Sequence, residues 1–137
     1  MRDRAVLDSS VIAALFFREE ASSRVRKSVA ELDPITLDLA FSEVGNVAWK
    51  QVVFFKEKKE LAMEALRDSF EFIAGSCLLL RSSDLLFEAF LIAVEDRIPL
   101  YDSLFLAAAE REGVPLLTLD RRLHDSAMRS GRDVRIV

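Results

Sequence analysis

The chain has 137 residues, 51% hydrophobic and 31% charged, with a formal net charge of −4. That length suits one domain burying about two thirds of its unfolded surface, and the acidic balance excludes a protein that coats nucleic acid through a broad positive field. The uncharged apolar stretches fall short of the roughly 20 residues of a membrane span, no three-part signal-peptide layout opens the chain, and the lone Cys77 excludes an internal disulfide or a cysteine-built zinc site; the expected location is the cytoplasm.

Val6-Leu7 reads as a short strand, with Ser9 or Ser10 expected to cap a helix through Val11 to Phe16. A second helix is expected from about Ala21 to Leu32, stopped by Asp33-Pro34, with Ile35-Thr36-Leu37 as the next strand. From Phe41 to about Phe55 apolar residues recur with helical period. After a break at Lys56 to Lys59, a further helix carries Leu61, Ala65, Leu66, Phe70, Phe72 and Ile73 and closes at Gly75. Cys77 to Leu80 is a continuous apolar run, expected of a strand covered on both faces. Ser82-Ser83-Asp84 offers caps for a helix through Leu85, Ala89, Phe90 and Ala93. Pro99 precedes a helix from Asp102 to Glu112 that Gly113 closes. A strand over Pro115 to Leu119, a helix over Arg121 to Arg129 and a strand over Val134 to Val137 complete the series. This alternation predicts an α/β fold, a three-layer α/β/α sandwich around a mostly parallel sheet, in a single domain over residues 1–137. Trp49 and the phenylalanines are expected in the core or in a subunit contact.

Four acids, Asp8, Glu43, Asp102 and Asp120, each stand where an apolar stretch ends and a new segment begins. In a parallel α/β fold such positions converge on one crevice at the carboxyl edge of the sheet. Carboxylates gathered there repel by ~3 kcal/mol per pair at ~5 Å and an effective dielectric near 20. Hard divalent cations bound through oxygen are the natural compensation. Taken singly, each acid has a plainer role: Asp8 and Asp120 as helix caps, Glu43 and Asp102 as first-turn acids favoured by the helix dipole. Two details point past that. Ser9 and Ser10 are available to cap in place of Asp8, and Glu43 shares a helix face with Asn46 and Lys50, three and seven residues on. Strand alternation puts Thr118 on the same face as Asp120. His124 and Asp125 are expected on the surface. Arg121 and Arg122, directly after Asp120, are candidates for binding a phosphate backbone.

The ordered runs Val-Leu-Asp-Ser-Ser (6–10), Ser-Glu-Val-Gly-Asn-Val (42–47), Tyr-Asp-Ser-Leu-Phe-Leu-Ala-Ala-Ala-Glu (101–110) and Val-Pro-Leu-Leu-Thr-Leu-Asp-Arg-Arg-Leu (114–123) carry a resemblance over essentially the whole chain. It resembles the PIN-domain family and, within it, the VapC-like toxins of prokaryotic toxin–antitoxin pairs. The resemblance implies that Asp8, Glu43, Asp102 and Asp120 are the catalytic and metal-binding acids, with Thr118 and Asn46 supporting them. It implies one or two Mg²⁺ or Mn²⁺ ions, and cleavage of RNA leaving a 3′-hydroxyl and a 5′-phosphate. It also implies a homodimer and an antitoxin (VapB-like) whose basic tail enters the cleft. Three other readings compete. A non-catalytic α/β interaction module would use the acids only as caps. A metal-dependent phosphatase with Asp8 as nucleophile would want an acid where Ser10 stands. A phosphorylation-dependent receiver would want a lysine after a late strand, which is absent.

Overall fold

The computed structural model describes residues 2–137. Its strands are β1 (Asp3–Leu7), β2 (Leu32–Leu37), β3 (Leu78–Leu80), β4 (Leu116–Thr118) and β5 (Val134–Ile136). They form one sheet in the order β3-β2-β1-β4-β5, with every neighbouring pair parallel. The helices are α1 (Ser9–Phe16), α2 (Ser22–Val29), α3 (Leu39–Val53), α4 (Lys59–Gly75), α5 (Leu86–Asp96), α6 (Leu100–Glu112) and α7 (Arg121–Arg129), with a 3₁₀ turn at Ser82–Leu85.

Successive strand side chains point to opposite faces, and β1 shows the consequence. Ala5 and Leu7 pack into a core with α1 to α4, while Val6 packs into a second core with α5 to α7. The neighbours Leu116 and Leu117 of β4 divide in the same way. The sheet is therefore the middle of three layers, as the alternation of strands and helices predicts.

The chain steps outward from β1 to β2 to β3, then crosses to the other side of β1 for β4 and β5. The strand order thus reverses between β1 and β4. At such a switch point the connections leave in opposite directions and open a crevice beyond the carboxyl ends of the strands.

Several expectations are corrected. The second helix stops at Val29, and β2 begins at Leu32 with Asp33-Pro34 inside it. Pro34 is tolerated there for a reason visible in the ladder. Asp38 donates its N–H to the Leu80 carbonyl, so the alternating Pro34 nitrogen faces the β3 side, where pairing begins only at Ile35. Gly75 lies within α4 and Ser76 follows it in ordinary right-handed geometry, so no glycine cap forms; Gly113, at φ 67°, closes α6 as expected. Ser82, Ser83 and Asp84 form the 3₁₀ turn and supply no side-chain cap. Instead the Ser82 N–H donates to Asp38 Oδ1 at 3.0 Å. The Cys77–Leu80 run makes an edge strand, with Leu78 49% and Leu79 38% exposed, because β3 has one neighbour and only three residues. Trp49 and the phenylalanines at 54, 55, 70, 87 and 90 are also exposed, against Phe105, which is fully buried. For those exposed rings only the subunit-contact half of the expectation stands.

Among the described residues no helix is long and apolar enough to cross a membrane.

Candidate active site

Asp8 directly follows β1, and its extended backbone (φ −81°, ψ 175°) makes it the N-cap of α1. Its carboxylate accepts from the Val11 N–H at 3.2 Å, from Ser10 Oγ at 2.6 Å and from Thr118 Oγ1. The serines after it are not the caps that their position suggests. Ser10 Oγ also accepts from the Leu119 N–H at 3.0 Å, and Ser9 Oγ donates to Glu43 Oε1 at 2.6 Å. Asp8 is buried, and that desolvation raises its pKa from the ordinary value although hydrogen bonds from Ser10, Thr118 and Val11 oppose it.

Thr118, the last residue of β4, is fully buried and bridges two of the acids. Its hydroxyl donates to Asp8 while its oxygen accepts the Asp120 N–H at 3.0 Å. Asp120 then caps α7, accepting from the N–H groups of Arg122 (2.9 Å) and Leu123 (3.2 Å). Both acids at the switch point are thereby fixed by the strands that flank it. On the other side of β1, buried Thr36 of β2 donates to the Leu7 carbonyl at 2.9 Å, immediately before Asp8.

Glu43 comes from α3, which starts at Leu39, so it lies beyond the first turn and outside the dipole-favoured position expected for it. Asp102 does lie in the first turn of α6. A helix that leads into a parallel strand runs antiparallel to it, so α6 begins at the carboxyl edge of the sheet and brings Asp102 to the crevice.

The four acids line one cleft of about 560 Å³, together with Ser9, Ser10, Asn46, Lys50 and Tyr101. The stripe Glu43, Asn46 and Lys50 on α3 forms one wall, as its spacing predicts. Arg121 and Arg122 are exposed on the first turn of α7 and do not line the cleft. His124 is outside it and bonds Asp125 through Nδ1 at 2.9 Å. Ser9, Ser10, Thr36 and Tyr101 are the residues that sequence reasoning missed. The two serines stand directly after Asp8, where their position suggests capping, and nothing local singles out Thr36.

Asp102 differs from the other three. Among the described residues it accepts no hydrogen bond, and its pKa is pushed up to about 6 by burial and then by the charges of Asp120, Asp8 and Glu43. All four carboxylates are thus electrostatically joined. Among the described residues, however, no three His, Cys, Asp or Glu side chains are gathered tightly enough to enclose one ion. Three of the acids instead turn to hydroxyl and amide donors on their own walls. As a donor set the cleft is all oxygen, with no histidine or cysteine lining it. That chemistry fits Mg²⁺ or Mn²⁺, with Asp8, Glu43, Asp102 and Asp120 the groups available to hold it.

Fold and cleft together define a three-layer α/β protein with an acidic, oxygen-only site at the switch point of a parallel sheet. The chain belongs to the PIN domain family, whose model matches residues 5–127. It is 36% identical over 122 residues to Ribonuclease VapC3 of Pyrobaculum aerophilum, covering 88% of this chain and 92% of that protein. Among solved structures it is similar to PAE2754 from Pyrobaculum aerophilum, with TM-score 0.70 and 26% identity over 90% of this chain and 79% of the other. It also matches the fold of VapBC-5 from Mycobacterium tuberculosis, a member of the VapBC family of toxin–antitoxin systems. There the TM-score is 0.58 at 14% identity, over 98% of this chain and 97% of the other.

Proposed function

We propose that this protein, a single domain over residues 1–137, is a divalent-metal-dependent endoribonuclease and the toxin of a toxin–antitoxin pair, acting in the cytoplasm. The observation that carries the reading is the convergence of Asp8, Glu43, Asp102 and Asp120, from four separate elements, on one cleft where burial and then the charges of the other three raise the pKa of Asp102. The likeness to a ribonuclease over nearly all of both chains supports RNA as substrate. The likeness to a toxin–antitoxin system supports an antitoxin as partner; that its basic tail enters the acidic cleft is what the family resemblance implies.

Asp8, Glu43, Asp102 and Asp120 would hold one or two Mg²⁺ or Mn²⁺ ions, which would supply Lewis acidity toward water and the scissile phosphate. The protein supplies the placement. Thr118 bridges Asp8 and Asp120 and fixes their separation, while Ser9 holds the Glu43 carboxylate toward the cleft. Lys50 and Asn46 offer a cation and an amide to the substrate phosphate from the α3 wall. Arg121 and Arg122 extend that contact along the backbone outside the cleft.

Asp8 and Asp120 are also genuine helix caps, which favours the competing reading of a non-catalytic interaction module. The experiment that separates the two is digestion of a random-sequence RNA pool with Mn²⁺ or Mg²⁺, read by sequencing the new ends. Cleavage is expected in the wild type, lost with chelator, and reduced at least about a hundredfold in Asp8→Asn. A wild type that cuts nothing with either metal leaves the capping explanation standing. Release of phosphate from monoesters without strand cleavage would instead favour a phosphatase.

A further inference from the structure

Tyr101 lies in the cleft wall immediately before Asp102, and its place there is not explained by packing. The ring is 61% exposed. Among the described residues it makes no side-chain hydrogen bond and no aromatic pair, in contrast to Phe16, Phe41 and Trp49, each of which packs against a second ring in tilted or edge-on geometry. The residue on either side behaves differently: Leu100 packs against the core and Asp102 turns into the acidic centre. A bulky aromatic left bare in the first turn of α6, beside the reacting centre, contributes nothing to folding that a small polar residue would not.

Its surroundings suit a nucleotide. The cleft places a cation (Lys50), an amide (Asn46), four carboxylates and the exposed Tyr101 around a single cavity of about 560 Å³. Aromatic faces exposed beside a phosphate-binding wall are how proteins hold unpaired bases, since every base offers a π-face while a paired base keeps its faces inside the helix stack. Resting on the ribonuclease reading above, we infer that Tyr101 is the platform on which the base next to the scissile phosphate stacks. Tyr101 binds substrate and positions it; the chemistry stays with the acids.

The test compares wild type, Tyr101→Phe and Tyr101→Leu on a random-sequence single-stranded RNA pool and on the same pool annealed to its complement, with Mn²⁺. Exposure of the ring makes both variants safe for folding, which their melting curves check. Tyr101→Leu, which keeps bulk and loses the π-face, is expected to lower kcat/KM on single strands by about 5- to 100-fold, mostly through KM. Tyr101→Phe, which keeps the ring, is expected to fall by less than about threefold. Duplex is expected to be cut poorly by all three. Equal KM for wild type and Tyr101→Leu, or duplex cut as fast as single strand, overturns the stacking role while leaving the nuclease intact. A wild type that cleaves neither pool removes the nuclease reading and the stacking role with it.

Discussion

At Asp102 the four-acid cleft carries its least compensated charge. Asp8 accepts from two hydroxyls and an amide, Glu43 from Ser9, and Asp120 from two amides. Asp102 has only partial burial and then its neighbours' repulsion, which push its pKa up to about 6 from 3.8. The sign of the effect on stability follows from proton counting. Between those two values the folded state binds more protons than the unfolded state, so stability falls as pH rises through that window and stays low above it. The difference between the two values corresponds to about 3 kcal/mol, and solvent screening at a partly exposed carboxyl scales it to about 1 kcal/mol. Asp102→Asn is therefore expected to melt about 3–5 °C above the metal-free wild type at pH 7 and level with it at pH 4. Mn²⁺ should raise the wild-type midpoint and not the mutant's, and the wild-type gain should fade below pH about 6 as protons compete. A mutant that melts no higher than wild type at pH 7 would remove Asp102 from the repulsive cluster.

Between elements, one buried charge cluster does for the α5–α7 layer what Thr118 does for the site. Asp96, the last residue of α5, has a fully buried carboxylate that accepts from Arg132 Nε at 2.7 Å and from Ser130 Oγ at 2.6 Å. Arg132 also reaches Glu110 of α6, so three segments meet on one guanidinium. Burial raises the Asp96 pKa, but the hydrogen bonds and charge of Arg132 outweigh it and hold the carboxyl below its ordinary value. A depressed carboxylate gives stability that is fully present above its unfolded pKa and lost as pH falls through the folded one. Arg132→Met strands the Asp96 charge without a partner and is expected to cost about 3–5 kcal/mol in chemical denaturation. The double variant with Asp96→Asn should recover part of that loss; a single variant within 1 kcal/mol of wild type by that measure (about the worth of an exposed pair) would mean the cluster is decorative. Nothing in the sequence announces this lock, because Asp96 and Arg132 lie 36 positions apart without a motif. Element identity was legible where local chemistry and tertiary packing agree, as in α7, which runs from the Asp120 cap to Arg129. It failed where topology decides. Cys77–Leu80 has the composition of a central strand, and only the sheet order makes it an edge.

For the molecule as a whole, the acids were legible because each stands at a junction that a parallel fold must bring to one edge, and the site sits at the single reversal of strand order. The exposed aromatics were not, because helical period alone does not tell an apolar face left at the surface from one that meets the core. On α5, Leu86, Phe87, Phe90, Leu91 and Val94 are 41%, 81%, 58%, 67% and 62% exposed and fall on one side of the helix at spacings of one, three and four. Contiguous apolar surface of this kind marks an interaction site, and a helix stripe pairs with its own copy about a two-fold axis with no further partner required. The homodimer that the family resemblance implies is therefore proposed to form through α5. Wild type is expected to run at twice the chain mass in light scattering, and the double variant Phe90→Glu/Leu91→Glu at the mass of one chain, with dimer dissociation raised at least about thirtyfold. Because neither side chain contributes to the buried core, the variant's circular dichroism and melting should show a folded monomer. A variant that stays dimeric would place the interface elsewhere, and the exposed Trp49, Val53, Phe54 and Phe55 at the end of α3 would be the next surface to change.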